Sequence, residues 1–127
     1  MPLSTDRIDA ITLFVDDVTV AKEFYGRVFD LAVHFEDDES VVFKLGSTVV
    51  NLLNATAAPE LIAPAAVAPR STGSRFQLTV AVADVDATCE HLRANGVELL
   101  NGPMDRPWGP RTASFQDPDG HIWELAS

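Results

Sequence analysis

The sequence has one cysteine, no long hydrophobic run and few basic residues, and each shortage excludes a class of protein. The single cysteine, Cys89, excludes an internal disulfide and a cysteine-rich zinc site. No apolar run approaches the roughly 18 residues that a membrane-spanning helix needs. The opening MPLSTDRI also lacks the basic-then-apolar order of a secretory signal. We therefore expect a cytoplasmic protein with no membrane partner.

Positive charge is scarce as well. The chain carries 9 Lys and Arg against 19 Asp and Glu, which gives a formal net charge of −10. Such a surface repels phosphates, so we expect no nucleic-acid partner. An acidic balance is compatible with a cationic or neutral ligand, and equally with a role in solubility alone.

An internal repeat organises the 127 residues. TLFVDDV at 12–18 and TVAVADV at 79–85 match at four positions, and each is followed by an amphipathic helix pattern. Asp17 and Asp84 stand where a helix N-cap belongs. Three short strand-like segments, bounded by turn residues, follow each helix. The pattern predicts an α+β fold made of two βαβββ modules.

The predicted domain covers 1–127 and has three parts. Module 1 spans 8–54 and module 2 spans 75–127. Between them, residues 55–74 form an Ala- and Pro-rich linker without a strand or amphipathic helix pattern, which is either a tether or a flap over a pocket.

Several short motifs resemble one family. The V-x-D entry into each helix, the FY in KEFYGRVF and the closing F-x-DPDG-x-x-WEL are similar to the vicinal oxygen chelate superfamily, which includes glyoxalase I, extradiol dioxygenases and bleomycin resistance proteins. The resemblance implies that the two modules curl into a cup around a small-molecule ligand. It also implies a homodimer, in which the pocket forms within one chain or by exchange of modules.

The resemblance further implies where a metal would bind, on the first and last strand of each module. In this sequence those places hold Ala10 and Asn51 in module 1, and Gln77 and Glu124 in module 2. One carboxylate, two amides and one alanine fall short of the three or four strong ligands of a catalytic divalent ion. We therefore expect no metal and no other cofactor, with a loosely held divalent metal as the alternative.

Strand alternation predicts which side chains line the ligand site. The face that carries Ala10 in the first strand is mixed in character, whereas the opposite face is uniformly aliphatic and suits a helix packed on it. The mixed face is either a ligand site or a solvated surface. Trp108, beyond the repeat, either stacks on a flat ligand or caps the core. The candidate ligand-binding residues are Thr12, Phe14, Asn51, Gln77, Thr79, Trp108, Arg111 and Glu124.

These residues lead to two functional hypotheses and a third of a different kind. The first is a metal-free protein of the drug-sequestering, antibiotic-resistance type that binds a small planar molecule. The second is a lyase, isomerase or dioxygenase that depends on a divalent metal or on Glu124 as a base. The third is a dimeric interaction module. The sequence leaves open whether the chain is an enzyme and which molecule it binds.

Overall fold

The computed structural model describes residues 6–127. The opening MPLSTDRI, which lacks the pattern of a secretory signal, begins with residues 1–5, and these lie outside the described part. The order strand, helix and three strands occurs twice. The strands are β1 (Ala10–Val15), β2 (Val33–Glu36), β3 (Ser40–Leu45), β4 (Thr48–Asn54), β5 (Gln77–Ala81), β6 (Leu99–Asp105), β7 (Arg111–Gln116) and β8 (Ile122–Ala126). The helices are α1 (Val18–Phe29), α2 (Pro59–Ile62) and α3 (Val85–Ala94).

The chain divides into two compact units. Unit 1 is Met1–Ala68 and unit 2 is Pro69–Ser127, so the boundary falls inside the predicted linker. The linker contains the short helix α2 and two single helical turns, at Ala55–Ala57 and Arg70–Thr72. The limits predicted for the two modules stay predictions.

Each unit contains one mixed four-stranded sheet with the same topology. The strand order is β1-β4-β3-β2 in unit 1 and β5-β8-β7-β6 in unit 2. The first and last strands of each unit pair in parallel, and the other neighbours are antiparallel. This arrangement confirms the predicted α+β fold of two βαβββ modules.

Both long helices begin at the predicted N-caps. The Asp17 carboxylate accepts hydrogen bonds from the backbone N–H groups of Thr19 and Val20 at 2.9 and 3.2 Å. Asp84 accepts one from Ala87 at 3.0 Å. An N-cap of this kind satisfies amides that have no partner within the helix, and its loss costs about 1 kcal/mol.

The aliphatic face of each sheet forms the core of its unit. In β1, β3, β4 and β8 the buried residues share one parity, whereas four consecutive residues of β7, Thr112 to Phe115, are buried. A large buried side chain contributes about 1.5–3 kcal/mol. Cys89 lies fully buried on α3 as part of this core, and burial raises the pKa of its thiol. The largest fully buried side chains are Trp123, Tyr25, Phe43, Phe115, Leu13, Leu52 and Leu92.

The described helices are all too short or too polar to cross a membrane, as expected from the sequence. The cytoplasmic location stays a prediction.

A glycine allows β6 to approach β7 closely. Gly102 has φ +87°, and a Cβ atom there would lie 2.5 Å from the carbonyl oxygen of Thr112 and 2.8 Å from Cα of Ala113. Both contacts are with backbone atoms, which cannot move aside without disturbing the strand pairing. Only glycine fits this position.

We expect Gly102→Ala to lower the free energy of unfolding by at least about 2 kcal/mol, because backbone strain and a backbone clash both oppose the methyl group. Gly96, at φ +76° and with open space around its Cα, provides the matched control, since alanine there meets strain alone. Urea unfolding of both variants measures the difference. Equal losses in the two variants would contradict the close approach.

The DPDG turn between β7 and β8 is organised by a buried carboxylate. Asp117 accepts backbone hydrogen bonds from Asp119 and His121 at 2.9 Å, and its second oxygen lies 2.8 Å from His121 Nδ1. Burial of the imidazole disfavours its charged form. The hydrogen bond to Asp117 and the charges of Asp117 and Asp119 outweigh that effect, so the pKa of His121 is raised.

A raised pKa makes the stability of the fold depend on pH. The stabilising contribution of His121 is fully present below the ordinary histidine pKa of about 6.5 and is lost as the pH rises through the higher pKa of the folded state. We expect the free energy of unfolding to fall more steeply for the wild type than for His121→Ala between about pH 6 and about pH 8. Denaturant titrations at a series of pH values measure this; parallel curves would contradict it.

Candidate functional site

The face of the unit 2 sheet opposite α3 carries a row of polar side chains. Strand pairing places Thr79 beside Glu124, Glu124 beside Ser114, and Ser114 beside Asn101. Because paired residues in a sheet point to the same side, these four side chains lie on one face, one from each strand. We call Thr79, Glu124, Ser114 and Asn101 the polar row.

Glu124 is held by neutral hydrogen-bond donors. Its two carboxylate oxygens accept hydrogen bonds from the Thr79 hydroxyl at 3.0 Å and from the Gln77 amide at 3.3 Å. Among residues 6–127, no cationic side chain pairs with it. The structure thus brings together Gln77, Thr79 and Glu124, three of the residues predicted from strand parity.

Arg106 lies at the other end of the polar row. Its Nε donates to the buried hydroxyl of Thr112 at 2.8 Å, and Nη2 donates to Asn101 at 2.8 Å. A guanidinium has five N–H groups, and Nη1 donates to no residue of the described chain. No carboxylate within 6–127 forms an ion pair with Arg106.

Trp108 occupies the turn that joins β6 to β7. The turn is closed by hydrogen bonds from the Arg106 N–H to the Pro110 carbonyl at 2.8 Å and from the Gly109 N–H to the Arg106 carbonyl at 3.0 Å. The indole is 71% exposed, so Trp108 does not cap the core. The Arg106 guanidinium carbon lies 5.8 Å from the ring centroid, within the range of a cation–π contact.

The positions of unit 1 that correspond to the polar row carry different side chains. Thr12 pairs with Asn51, Asn51 with Val42, and Val42 with Phe35. Phe14 points to the same face as Thr12, two residues further along β1. The Asn51 side-chain oxygen is buried and accepts no hydrogen bond from the described residues.

Arg111, also predicted to bind ligand, lies on the opposite face of the unit 2 sheet. It shares its side of β7 with Ala113 and Phe115, both in the core. Its guanidinium makes a two-pronged ion pair with Asp86 of α3, at 2.8 and 2.9 Å, and a third contact with Asp105 at 3.1 Å. These hydrogen bonds raise the pKa of Arg111 and lower that of Asp86. The structure does not bring Arg111 to the polar row.

Sequence reasoning omitted four residues of this face from the candidate list: Asn101, Arg106, Thr112 and Ser114. Alternation along RTASFQ carried the signal for two of them, since Thr112 and Ser114 have the parity opposite to Phe115. Arg106 lies in a turn, where no alternation applies. Its partner Asn101 lies beyond an irregularity in the β6–β7 pairing.

The donors at the implied metal positions fit a catalytic divalent ion poorly. Ala10 has no donor atom, and the side chains of Gln77 and Glu124 hydrogen bond to one another at 3.3 Å. Residues 6–127 contain no group of three or more His, Cys, Asp and Glu side chains arranged to hold a metal. Amide oxygens are weaker ligands than imidazole.

Comparison with known proteins identifies the family. The model of the Glyoxalase/Bleomycin resistance protein/Dioxygenase superfamily matches residues 7–125. The chain belongs to this superfamily. This confirms the resemblance seen in the sequence. In this glyoxalase-superfamily chain, the polar row lies on the second βαβββ module.

This superfamily member matches its relatives over nearly the whole of its length. The uncharacterized protein YraH of Bacillus subtilis (strain 168) is 32% identical over 119 residues, which are 91% of this chain and 93% of that protein. A glyoxalase/bleomycin resistance protein/dioxygenase from Nocardioides has TM-score 0.86 at 25% identity, covering 98% of this chain and 84% of its own. A glyoxalase-related enzyme from Fulvimarina pelagi has TM-score 0.84 at 27% identity, covering 96% and 88%.

Membership of the superfamily establishes the fold of this chain. It does not establish an activity, because one fold supports unrelated chemistries, so an activity has to be inferred from the side chains of this superfamily member. The predicted homodimer stays a prediction.

We expect Arg106→Ala to lower the free energy of unfolding by about 1–3 kcal/mol, because it leaves the buried Thr112 hydroxyl without its partner. The double variant Arg106→Ala/Thr112→Val removes both groups and should recover part of that loss. A double-mutant cycle by urea unfolding measures the coupling. Strictly additive losses would show that the hydrogen bond contributes nothing to stability.

Proposed function

We propose that this chain binds a small, planar organic molecule on the polar row of unit 2 without the help of a metal ion. The observation that carries the proposal is the state of Glu124, which accepts hydrogen bonds from Thr79 and Gln77 and has no cationic partner in the described chain. A carboxylate held in place by two neutral donors keeps further acceptor capacity for a ligand.

The surroundings of Glu124 supply the other features of a small-molecule site. Ser114, which is 6% exposed, and the exposed Asn101 continue the row with hydroxyl and amide groups, the kinds of group that orient a ligand through hydrogen bonds. Trp108 adds a large exposed aromatic surface at the far end. A planar ring stacked on an indole gains about 0.5–1.5 kcal/mol beyond the area it buries.

The donor chemistry favours binding without a metal. A divalent ion at Glu124 would have one carboxylate and the amide of Gln77 as its ligands in unit 2, and Gln77 turns its N–H group towards that carboxylate. Drug sequestration of the bleomycin-resistance type is the biological role that we propose for such a site.

The same carboxylate supports a second candidate function. An unneutralised Glu124 can also accept a proton from a bound substrate, as in a metal-free lyase or isomerase. The hydrogen bond from Thr79 at 3.0 Å would orient the accepting oxygen. Turnover that depends on Glu124 would distinguish this candidate from simple sequestration.

We expect calorimetric titration of tag-free protein with Ni, Mn, Fe and Zn salts to show no stoichiometric binding at Glu124. Elemental analysis of the purified protein checks for a metal carried through purification. Glu124→Ala is the test variant, and Glu90→Ala on the exposed surface of α3 controls for the lost charge. Micromolar binding that Glu124→Ala abolishes and Glu90→Ala keeps would overturn the metal-free proposal.

A screen of planar organic compounds against the metal-free protein completes the test. Trp108 fluorescence reports binding, and Trp108→Phe identifies the signal of the buried Trp123. Compounds whose binding is weakened in Glu124→Ala, and unchanged in Glu90→Ala, support the proposal. A screen without any hit that depends on Glu124 would contradict it.

A further inference from the structure

The polar row has opposite charges at its two ends, and neither charge is neutralised by the described chain. Glu124 has Thr79 and Gln77 as its partners, and Arg106 has Thr112 and Asn101. All four partners are neutral. Side chains of opposite charge on one sheet face usually pair when they are in reach of each other, so these two are held apart.

The spacing of the two charges follows from the strand order. Glu124 lies on β8, Ser114 on β7 and Asn101 on β6, in register with one another. Neighbouring strands are about 4.8 Å apart, so Glu124 and Asn101 are separated by roughly 10 Å. The Arg106 guanidinium bridges β6 and β7, because Nη2 donates to Asn101 and Nε donates to Thr112, each at 2.8 Å, so it approaches that interval from the β6 side.

The charge balance of the chain makes Arg106 the more informative of the two charged residues. With 19 acidic against 9 basic residues, carboxylates are abundant, and neighbouring Arg111 takes two of them. Arg106 takes none, although the residue is half-buried and its guanidinium is fixed by two hydrogen bonds. Nη1 keeps its N–H groups for a further acceptor, and a guanidinium matches a carboxylate or phosphate well.

We propose, resting on the proposed function, that the ligand is dipolar. It has a cationic hydrogen-bond donor at Glu124, an anionic group such as a carboxylate at Arg106, and a planar body about 10 Å long between them. Arg106 is then the specificity-determining residue for the anionic end. Trp108, whose ring contacts the same guanidinium, covers the part of the planar body next to the anionic group.

This arrangement reconciles two features of the chain that point to ligands of opposite charge. The net charge of −10 attracts cations over the whole surface. The single guanidinium beside Trp108 favours an anion locally. A dipolar ligand satisfies both, because each of its ends meets the charge that the row presents there.

Three matched probes test the inference. The dipolar probe is a biphenyl with an aminomethyl group in the para position of one ring and a carboxylate in the para position of the other. The second probe keeps only the aminomethyl group, and the third keeps only the carboxylate. Calorimetry and Trp108 fluorescence measure the affinity of each for the wild-type chain.

We expect the dipolar probe to bind at least about tenfold more tightly than either single-ended probe, since each charge-assisted contact contributes about one factor of ten. Glu124→Gln should weaken the dipolar and amine probes by about tenfold and leave the carboxylate probe unchanged. Arg106→Gln should weaken the dipolar and carboxylate probes and leave the amine probe unchanged. Arg93→Gln and Glu90→Gln, both on the exposed surface of α3, control for net charge.

Arg106→Lys provides a second variant in case Arg106→Gln unfolds. It keeps the charge and removes the two-pronged geometry, so it should weaken the carboxylate probe less than Arg106→Gln and still spare the amine probe. A purely structural role of Arg106 would instead weaken all three probes to a similar extent, and this outcome would overturn the inference.

The two proposals fail in different ways. If the amine probe binds through Glu124 and the added carboxylate brings no gain, the dipolar ligand is wrong and the binding site at Glu124 stands. If none of the three probes binds the wild type, the dipolar ligand is again wrong. The site at Glu124 is then decided by the metal titration and the compound screen.

Discussion

The parallel pairing of the first and last strand in each unit is the constraint on which the rest of the structure depends. It sets Thr79 beside Glu124 in unit 2 and Thr12 beside Asn51 in unit 1. Because side chains alternate along a strand, a slip by one residue would turn Glu124 towards α3 and expose Trp123, which is 1% exposed. Burial of the aliphatic face therefore fixes the register, and the register fixes which polar groups meet.

The two units share one strand topology but carry different side chains on the sheet face opposite the helix. The helix-facing sides of both sheets are mainly apolar, with Arg111 as the charged residue of the unit 2 side, whereas the other sides of the two sheets differ from each other. Where unit 2 has Glu124, Ser114 and Asn101, unit 1 has Asn51, Val42 and Phe35 at the corresponding pairs. Burial of apolar side chains stabilises the side that the helix covers, so the fold places fewer demands on the side chains of the other face.

Much of the fold could be predicted from the sequence, because its signals are local and repeated. The match between 12–18 and 79–85 revealed two modules, and Asp17 and Asp84 marked the helix starts. Alternation also placed Gln77 and Thr79 on one face of β5, since parity survives small errors in strand limits. The resemblance to the family added Glu124, and both side chains hydrogen bond to it.

The basic end of the site could not be predicted in the same way. Arg106 reaches the polar row from a turn, and its position depends on contacts with Asn101 and Thr112 that no periodic pattern encodes. Arg111 flanks Trp108 in the stretch PMDRPWGPRT, as Arg106 does on the other side. The parity of Arg111 with Ala113 and Phe115 shows that it faces α3. Applied to β7, alternation separates the two arginines.

The position of Arg106 and Trp108 in the turn between β6 and β7 has a consequence for how such a protein evolves. The β6 strand is an edge of its sheet, and the turn closes on itself through the hydrogen bonds of Arg106 with Pro110 and Gly109. Substitutions at the exposed Trp108, unlike those at Arg106, remove no hydrogen bond to an inner strand, and surface turns on a rigid scaffold usually tolerate such changes. Changes at Trp108 therefore alter the end of the proposed site that lies in the turn, while Glu124 on the inner strand β8 stays in place.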